Sequence, residues 1–313
     1  MLTTRIPAHE IMTRHLVMTT ADAHVVEASE RLIAQGISGM PVVDSSGRLE
    51  GRFSERTAIA ALDLSCLQRD SRVAAALKDI HAADLMDRWG LVLKSHQDVF
   101  ASIGELVSRR VSGAPVVDMD GTLRGVFSEQ SAMHVFIGLC WEQLPSSRVT
   151  AWVDRDDERW ISEETNLVEI LDRFHRRAFR RLMVMHGNKL VGQVTRRDAL
   201  KAAIRSSREP LAASRHLSAD SQMGLRTDVG AWMHREAESI GANDDTLRIA
   251  RTFLESGARQ LPVLNDGSLV GQVSRSDLLR AVQKSFPSSA SSESGIHTLY
   301  LTSVNKRDVR EFV

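Results

Sequence analysis

Four hydroxyls end apolar strand patterns and directly precede apolar helix patterns: Ser54, Ser128, Thr195 and Ser274. A hydroxyl beside the free amides of a helix N-terminus favours an anion. In the second half of the chain a carboxylate follows three residues on, in Thr195-Arg196-Arg197-Asp198 and Ser274-Arg275-Ser276-Asp277. A carboxylate only accepts hydrogen bonds and takes two hydroxyl protons at once. The same spacing is a helix-capping arrangement, and capping alone accounts for the hydroxyl in all four places. It does not account for carboxylates at Asp198 and Asp277 where the first half has Thr57 and Ser131. Two other positions change in step. The residue after the hydroxyl is Glu55 and Glu129 in the first half, Arg196 and Arg275 in the second. Ahead of the upstream strand stand Ser38-Gly39 and Ser112-Gly113 in the first half, Arg180-Arg181 and Arg259-Gln260 in the second. An anion would meet carboxylates in one half and cations in the other. A charge-assisted hydrogen bond contributes about 1.5–3 kcal/mol, so two or three arginines decide occupancy.

The elements that must hold these residues recur four times. The strands are Met40-Pro41-Val42-Val43-Asp44, Ala114-Pro115-Val116-Val117-Asp118, Leu182-Met183-Val184 and Leu261-Pro262-Val263. Marker glycines follow at Gly51, Gly125, Gly192 and Gly271, spaced 74, 67 and 79 residues apart, which excludes a short-period solenoid. Upstream of each strand lies a helical apolar pattern, opened by Asp22, Asp98, Asn166 or the run Asn243-Asp244-Asp245, with Gly36 and Gly257 as stops in the first and fourth. The unit is β-α-β-β-α, too small to bury both faces of its sheet alone. The first two copies share Phe-Ser-Glu. The last two share Gln-Val-[Thr/Ser]-Arg and the pair Ala151-Trp152-Val153, Ala231-Trp232-Met233. Two modules of adjacent repeats follow, divided near Leu144-Pro145-Ser146-Ser147, with a longer connection over about 206–223.

The pattern resembles cystathionine-β-synthase (CBS) domains. The residues that carry the resemblance are the Pro-Val-Val-Asp strands at Pro41 and Pro115, the Leu-Pro-Val strand at Pro262, and the Gly-x-x-[Ser/Thr]-x-x-Asp ends starting at Gly192 and Gly271. It covers residues 7–284. It implies an α/β (α+β) chain of four β-α-β-β-α repeats in two pseudo-twofold Bateman modules, forming a disk. The repeats are expected at 7–64 and 80–140 (first module, 1–147) and at 148–205 and 227–284 (second module, 148–284), followed by a Ser-rich linker and tail at 285–313. The resemblance also implies a regulatory role exercised through adenosine-containing ligands. Carried onto this sequence, Asp198 and Asp277 hold ribose. Thr195 and Ser274, with Arg196, Arg275, Arg180 and Arg259, hold phosphate. Adenine slots between strand residues such as Val194 and Val273. A nucleotide bridging repeats three and four then changes the surface offered to an effector protein.

That makes AMP, ADP or ATP the expected regulatory ligand, with no required cofactor, and a homodimer or an intramolecular disk the expected assembly. The rivals are a ligand-free scaffold whose arginines pair with the acidic first half, and a sensor of S-adenosylmethionine or a cyclic dinucleotide. An enzyme is not expected: no Ser-His-Asp grouping, P-loop or metal cluster can be placed.

Composition fits this reading. Forty basic and 40 acidic side chains balance over 313 residues. Residues 1–147 carry 14 basic and 18 acidic side chains, net −4, and residues 148–313 carry 26 and 22, net +4. Neither half is basic enough to make nucleic acid the default partner. The run His175-Arg176-Arg177-Ala178-Phe179-Arg180-Arg181 could hold RNA, but cations also suit a helix C-terminus. Asp154-Arg155-Asp156-Asp157-Glu158 lacks the Gly and terminal Glu of an EF-hand. Trp152 and Trp232 read as packing anchors, and the 11 histidines form no zinc-ligand pair on a helix. Cys66 and Cys140 lack metal or redox spacing and fit a reducing, cytoplasmic setting. No apolar h-region opens the chain, and no stretch approaches the roughly 18 apolar residues of a membrane span.

Overall fold

The computed structural model describes residues 6–62, 80–140, 149, 153–208, 228–236 and 238–285. Expectations about Cys66, Trp152, the boundary at 144–147, most of the 206–223 connection and the tail beyond 285 lie outside those residues.

A one-turn helix α1 (Ala8–Ile11) precedes the first block, which is α2 (Val25–Ala34), the hairpin β1 (Gly39–Val43) and β2 (Leu49–Ser54), and α3 (Glu55–Ala61). A second one-turn helix, α4 (Ala82–Leu85), precedes β3 (Leu93–Lys94), α5 (Val99–Arg109), β4 (Gly113–Val117), β5 (Leu123–Ser128) and α6 (Glu129–Cys140). The third block is β6 (Trp160–Ser162), α7 (Leu167–Arg176), β7 (Arg181–His186), β8 (Lys189–Thr195) and α8 (Arg196–Arg208). The fourth is β9 (Ile240–Gly241), α9 (Thr246–Ser256), β10 (Gln260–Asn265), β11 (Ser268–Ser274) and α10 (Arg275–Ser285). The fold class is mixed α+β, as expected.

The hairpins share one register. Gly39 faces Ser54, Gly113 faces Ser128, Arg181 faces Thr195 and Gln260 faces Ser274, so each helix-opening hydroxyl lies opposite the first residue of the hairpin. All four hairpins break register at the same place, and the residue before the break (Val42, Val116, Val184 or Val263) pairs with the marker glycine. Helix starts follow the expected caps at Asp98, Asn166 and Asp245, whose side chains accept from Phe100 N, Glu169 N and Arg248 N. The first repeat differs. Its cap is His24, which makes no side-chain cap bond, because Asp22 stands two residues too early. Gly36 and Gly257 stop their helices with φ of +65° and +66°, while Arg110 does so for α5 at +54° without a glycine.

Each marker glycine admits a crossing segment. Thr13 pairs with Val126 on β5, Asp87 with Arg52 on β2, Asp154 with Gln272 on β11, and His234 with Gln193 on β8. A Cβ built on Gly192 would sit 2.6 Å from Met233 Sδ and 2.9 Å from the His234 carbonyl, so only glycine allows the approach. The crossing arms are therefore exchanged. The arm before the first repeat lies on the second repeat's hairpin, and the arm before the second lies on the first's. Repeats three and four exchange theirs in the same way.

Compactness divides the chain differently from the expected halves. One unit takes residues 1–16, 89–155 and 238–313; the other takes 17–88 and 156–237. Each thus joins a hairpin-helix block from the first half to one from the second. The physical reason is helix burial. In one unit α3 packs on α7 and α8, and in the other α6 packs on α9 and α10. Each unit has its own core: Leu32, Phe53 and Ile59 with Leu171, Phe174 and Val194 in one, Ile103, Phe127 and Met133 with Phe253, Val273 and Leu279 in the other.

Candidate functional site

Helix starts bring the expected tetrads together, first as caps. Asp198 Oδ2 accepts from Thr195 N (2.9 Å) and Thr195 Oγ1 (2.6 Å), while Asp198 N donates to Thr195 Oγ1 (3.3 Å). The fourth repeat repeats this geometry: Asp277 Oδ2 accepts from Ser274 N (2.9 Å) and Ser274 Oγ (2.6 Å), and Asp277 N donates to Ser274 Oγ (3.2 Å). In the first repeat Thr57 Oγ1 takes the carboxylate's part, accepting from Ser54 N at 2.7 Å. Each carboxylate spends one oxygen on the cap and keeps the other. Asp198 Oδ1 accepts from His234 Nε2 at 3.0 Å, and Asp277 Oδ1 from Arg280 Nη1 at 3.0 Å.

The arginines beside the hydroxyls are buried, Arg196 at 8% and Arg275 at 3% exposure. Arg196 Nη2 donates to the Arg177 carbonyl, and Arg275 Nη2 to the Phe253 carbonyl, so each ties down the helix preceding its hairpin. Among the described residues, the Nε of each has no hydrogen-bond partner. Burial, with Arg180, Arg56 and Arg52 adding repulsion and Glu55 opposing it, lowers the Arg196 guanidinium to about 10. Burial also lowers Arg275, against the pull of Glu129. Arg180 and Arg259 contribute their carbonyls, which accept from Arg196 N and Arg275 N and lock the hairpin to the helix start. Arg181 is lowered by burial while Asp198 pulls it back up.

Carboxylates of the first half meet this machinery. Glu55, buried, accepts from Arg197 Nε at 3.0 Å. Glu129 accepts from Ser276 Oγ, and Gln130 Oε1 from Arg275 Nη1 at 3.4 Å. The expectation that Val194 and Val273 flank an adenine is corrected: both are 0% exposed and packed within the two cores. Strand alternation turns them inward and leaves Gln193 and Gln272 to pair with the crossing arms.

Sequence reasoning missed His234 and Arg280, the two partners of the spare carboxylate oxygens. Arg280 was legible as an i,i+3 neighbour of Asp277. The signal for His234 lay one residue past the noted Ala-Trp-[Val/Met] likeness, where the arms read Met12-Thr13-Arg14, Met86-Asp87-Arg88, Val153-Asp154-Arg155 and Met233-His234-Arg235. Among the described residues, no group of three or more His, Cys, Asp or Glu could hold a metal ion, and no helix is long and apolar enough to cross a membrane.

Hairpin-and-helix blocks with exchanged arms and hydroxyl-capped helix starts define a class of repeat module, and comparison with known proteins identifies it. Residues 8–64, 153–205 and 228–284, together more than half of the chain, match the CBS domain family. The chain belongs to the CBS-domain family. No curated protein matches it in sequence. Among solved structures, protein MJ1225 from Methanocaldococcus jannaschii is 18% identical, with 88% of this chain and 99% of that one covered at a TM-score of 0.72. A conserved protein from Pyrococcus horikoshii is 19% identical, covering 88% and 100% at 0.53. Both likenesses show the fold. CBSX2 from Arabidopsis thaliana in complex with AMP is 25% identical over 42% of this chain and 96% of its own, at 0.36.

Proposed function

We propose that the protein is a non-catalytic sensor that binds an adenine nucleotide through the second Bateman module, residues 148–284, and thereby changes the surface it offers to an effector protein. Residues 80–140, outside the family match, are read as a fourth CBS repeat because their hairpin keeps the register and the register break of the other three. The observation that carries the reading is the matched pair of capping carboxylates, each with its second oxygen held by a single side chain. Asp198 and Asp277 each cap a helix with one oxygen and keep a second acceptor. A ribose hydroxyl fits that acceptor. Arg180 and Arg196 in one tetrad, and Arg259 and Arg275 in the other, supply positive charge for phosphate. The buried Nε of Arg196, orphaned in a cluster of cations, favours an anion there. Binding acts as a population shift, stabilising one of two conformations by its differential affinity.

A scaffold without a small ligand is favoured by a different observation, the pairing of Glu55 with Arg197 and of Glu129 with Ser276. Titration calorimetry against AMP, ADP, ATP and S-adenosylmethionine separates the two. Saturable nucleotide binding, lost in an Asp198→Ala/Asp277→Ala double variant, supports the sensor. No heat from any ligand with folded, nucleotide-free protein leaves the scaffold.

A further inference from the structure

The two helix-start junctions that join the halves of the chain differ in charge. In the unit of residues 17–88 and 156–237, α3 of the first repeat packs on α8 of the third. Arg196 is buried there at 8% exposure, Arg180 and Arg197 are half-buried, and Arg56, the second residue of α3, is exposed. Arg180, Arg56 and Arg52 all repel the Arg196 guanidinium, and Glu55 attracts it. Arg52 is paired with Asp87 on the crossing arm at 3.3 Å. With that pair set aside, the described residues of the cluster are four arginines (Arg56, Arg180, Arg196 and Arg197) and one carboxylate (Glu55), net +3.

In the other unit α6 packs on α10, and the same positions hold Gln130 for Arg56, Ser276 for Arg197 and Val126 for Arg52. Two arginines, Arg259 and Arg275, then face Glu129, net +1. Arg275 spends Nη1 on Gln130 Oε1 at 3.4 Å, and the charge that acts on it is the carboxylate of Glu129. A phosphomonoester carries about −1.5 to −2 at neutral pH, enough for the second junction and short of the first. Each further phosphoryl group adds negative charge along a chain, and the first junction grades its cations from the buried Arg196 outward to Arg56.

Resting on the phosphate role given to Arg180 and Arg196, we propose that the α3–α8 junction takes a pyrophosphate or triphosphate group in preference to a monophosphate, with Arg56 of the first repeat as a phosphate contact. The innermost donor is Arg196 Nε, buried and without a partner among the described residues. A phosphate oxygen satisfies it while Nη2 keeps its bond to the Arg177 carbonyl. Glu55 is engaged by Arg197 Nε at 3.0 Å, so the one carboxylate of the cluster is already met within the junction. The acidic first half of the chain thus builds part of the ligand site.

The test is calorimetric titration of the full chain, at one pH and salt concentration without divalent cations, with orthophosphate, pyrophosphate, tripolyphosphate, AMP and ATP. The proteins are wild type, Arg56→Gln (the residue of the other junction), Arg56→Lys, Asp198→Ala and Arg31→Gln. Arg31 is exposed on α2 and paired with Glu27, so its variant removes one charge elsewhere on the same unit. Wild type is expected to bind pyrophosphate and tripolyphosphate at least about tenfold tighter than orthophosphate, and ATP tighter than AMP. Arg56→Gln is expected to lose about tenfold for the polyphosphates and ATP, Arg56→Lys to restore most of it, and Arg31→Gln to match wild type. Asp198→Ala is expected to weaken ATP and leave tripolyphosphate unchanged. Equal affinity for orthophosphate and pyrophosphate, or equal losses in Arg56→Gln and Arg31→Gln, overturns the polyphosphate site while AMP binding keeps the nucleotide reading. Tripolyphosphate binding lost in Arg56→Gln, with ATP no tighter than tripolyphosphate and AMP unbound, keeps the site and overturns the nucleotide reading. No binding of any probe overturns both.

Discussion

Asp277 and Asp198 cap their helices through one oxygen and bond a side chain through the other, and substitution separates the cap from the proposed ligand contact. Asp277→Ala removes the acceptor for Ser274 N and the partner of Arg280, and should cost about 1 kcal/mol of stability in denaturant melts. Asp277→Asn keeps a side-chain oxygen for the cap and should lose less than half as much, while nucleotide affinity falls in both variants. Equal stability for all three proteins would remove the cap from the account. Arg196 is the opposite kind of residue, a buried cation kept despite its cost to the fold. Its folded value near 10 lies below the ordinary arginine range, so between the two the unfolded state binds more protons and stability rises with pH. Below about pH 10 the buried charge is a standing penalty. Arg196→Met should therefore raise the stability of the ligand-free protein by about 1 kcal/mol and weaken nucleotide binding, read by melting and calorimetry on one preparation. A fall in stability would mean that the bond to the Arg177 carbonyl outweighs the burial.

At the scale of the element, the hairpin with its crossing arm is the unit that recurs, and the glycine opposite the register break is its tightest point. Gly192→Ala would press a methyl against Met233 and the His234 carbonyl, forcing the arm outward. About 1–3 kcal/mol should be lost, and the amides of Gln193 and His234, which donate to each other's carbonyls at 2.9 and 3.0 Å, should lose hydrogen-exchange protection together. Protection of Gln193 without that of His234 would mean that the arm leaves while the hairpin stays. Gly271 is under the same constraint and also sits at φ +146°, facing Val153 and the Asp154 carbonyl. These glycines were legible as markers from spacing alone. What they make room for was not, because the crossing arms come from 35 to 118 residues away and share no local pattern with the hairpins.

For the whole molecule, each hydrophobic core draws helices and strands from both halves of the chain. A half expressed alone exposes the faces that α3 and α6 bury against α7 to α10. Residues 1–147 or 148–313 on their own should self-associate or aggregate, and mixing them should restore a one-to-one complex by size-exclusion chromatography with light scattering. Two monomeric, cooperatively melting halves would show that the cores are separable. Glu55→Gln tests the same cross-repeat link at one residue: loss of the buried partner of Arg197 should cost about 1–3 kcal/mol and free a guanidinium for an anion.

Residue order alone carried the repeats, the hairpins, the caps of three of the four helices that precede the hairpins and the hydroxyl-to-carboxylate spacing. Each of these depends on neighbours a few residues apart, through strand alternation, helix periodicity or a side chain reaching its own helix start. The family resemblance stood on the same local motifs. Which faces lie inside depended on long-range packing. Val194 and Val273 match a ligand-lining pattern yet are sealed in the cores, and Arg196 and Arg275 lie buried against the ends of the preceding helices. Nor could spacing place His234 on Asp198, 36 positions away, or Glu55 on Arg197, 142 away. Those contacts arise when arms exchange and helices pack, and packing selects surface complementarity between distant segments, which no local pattern encodes.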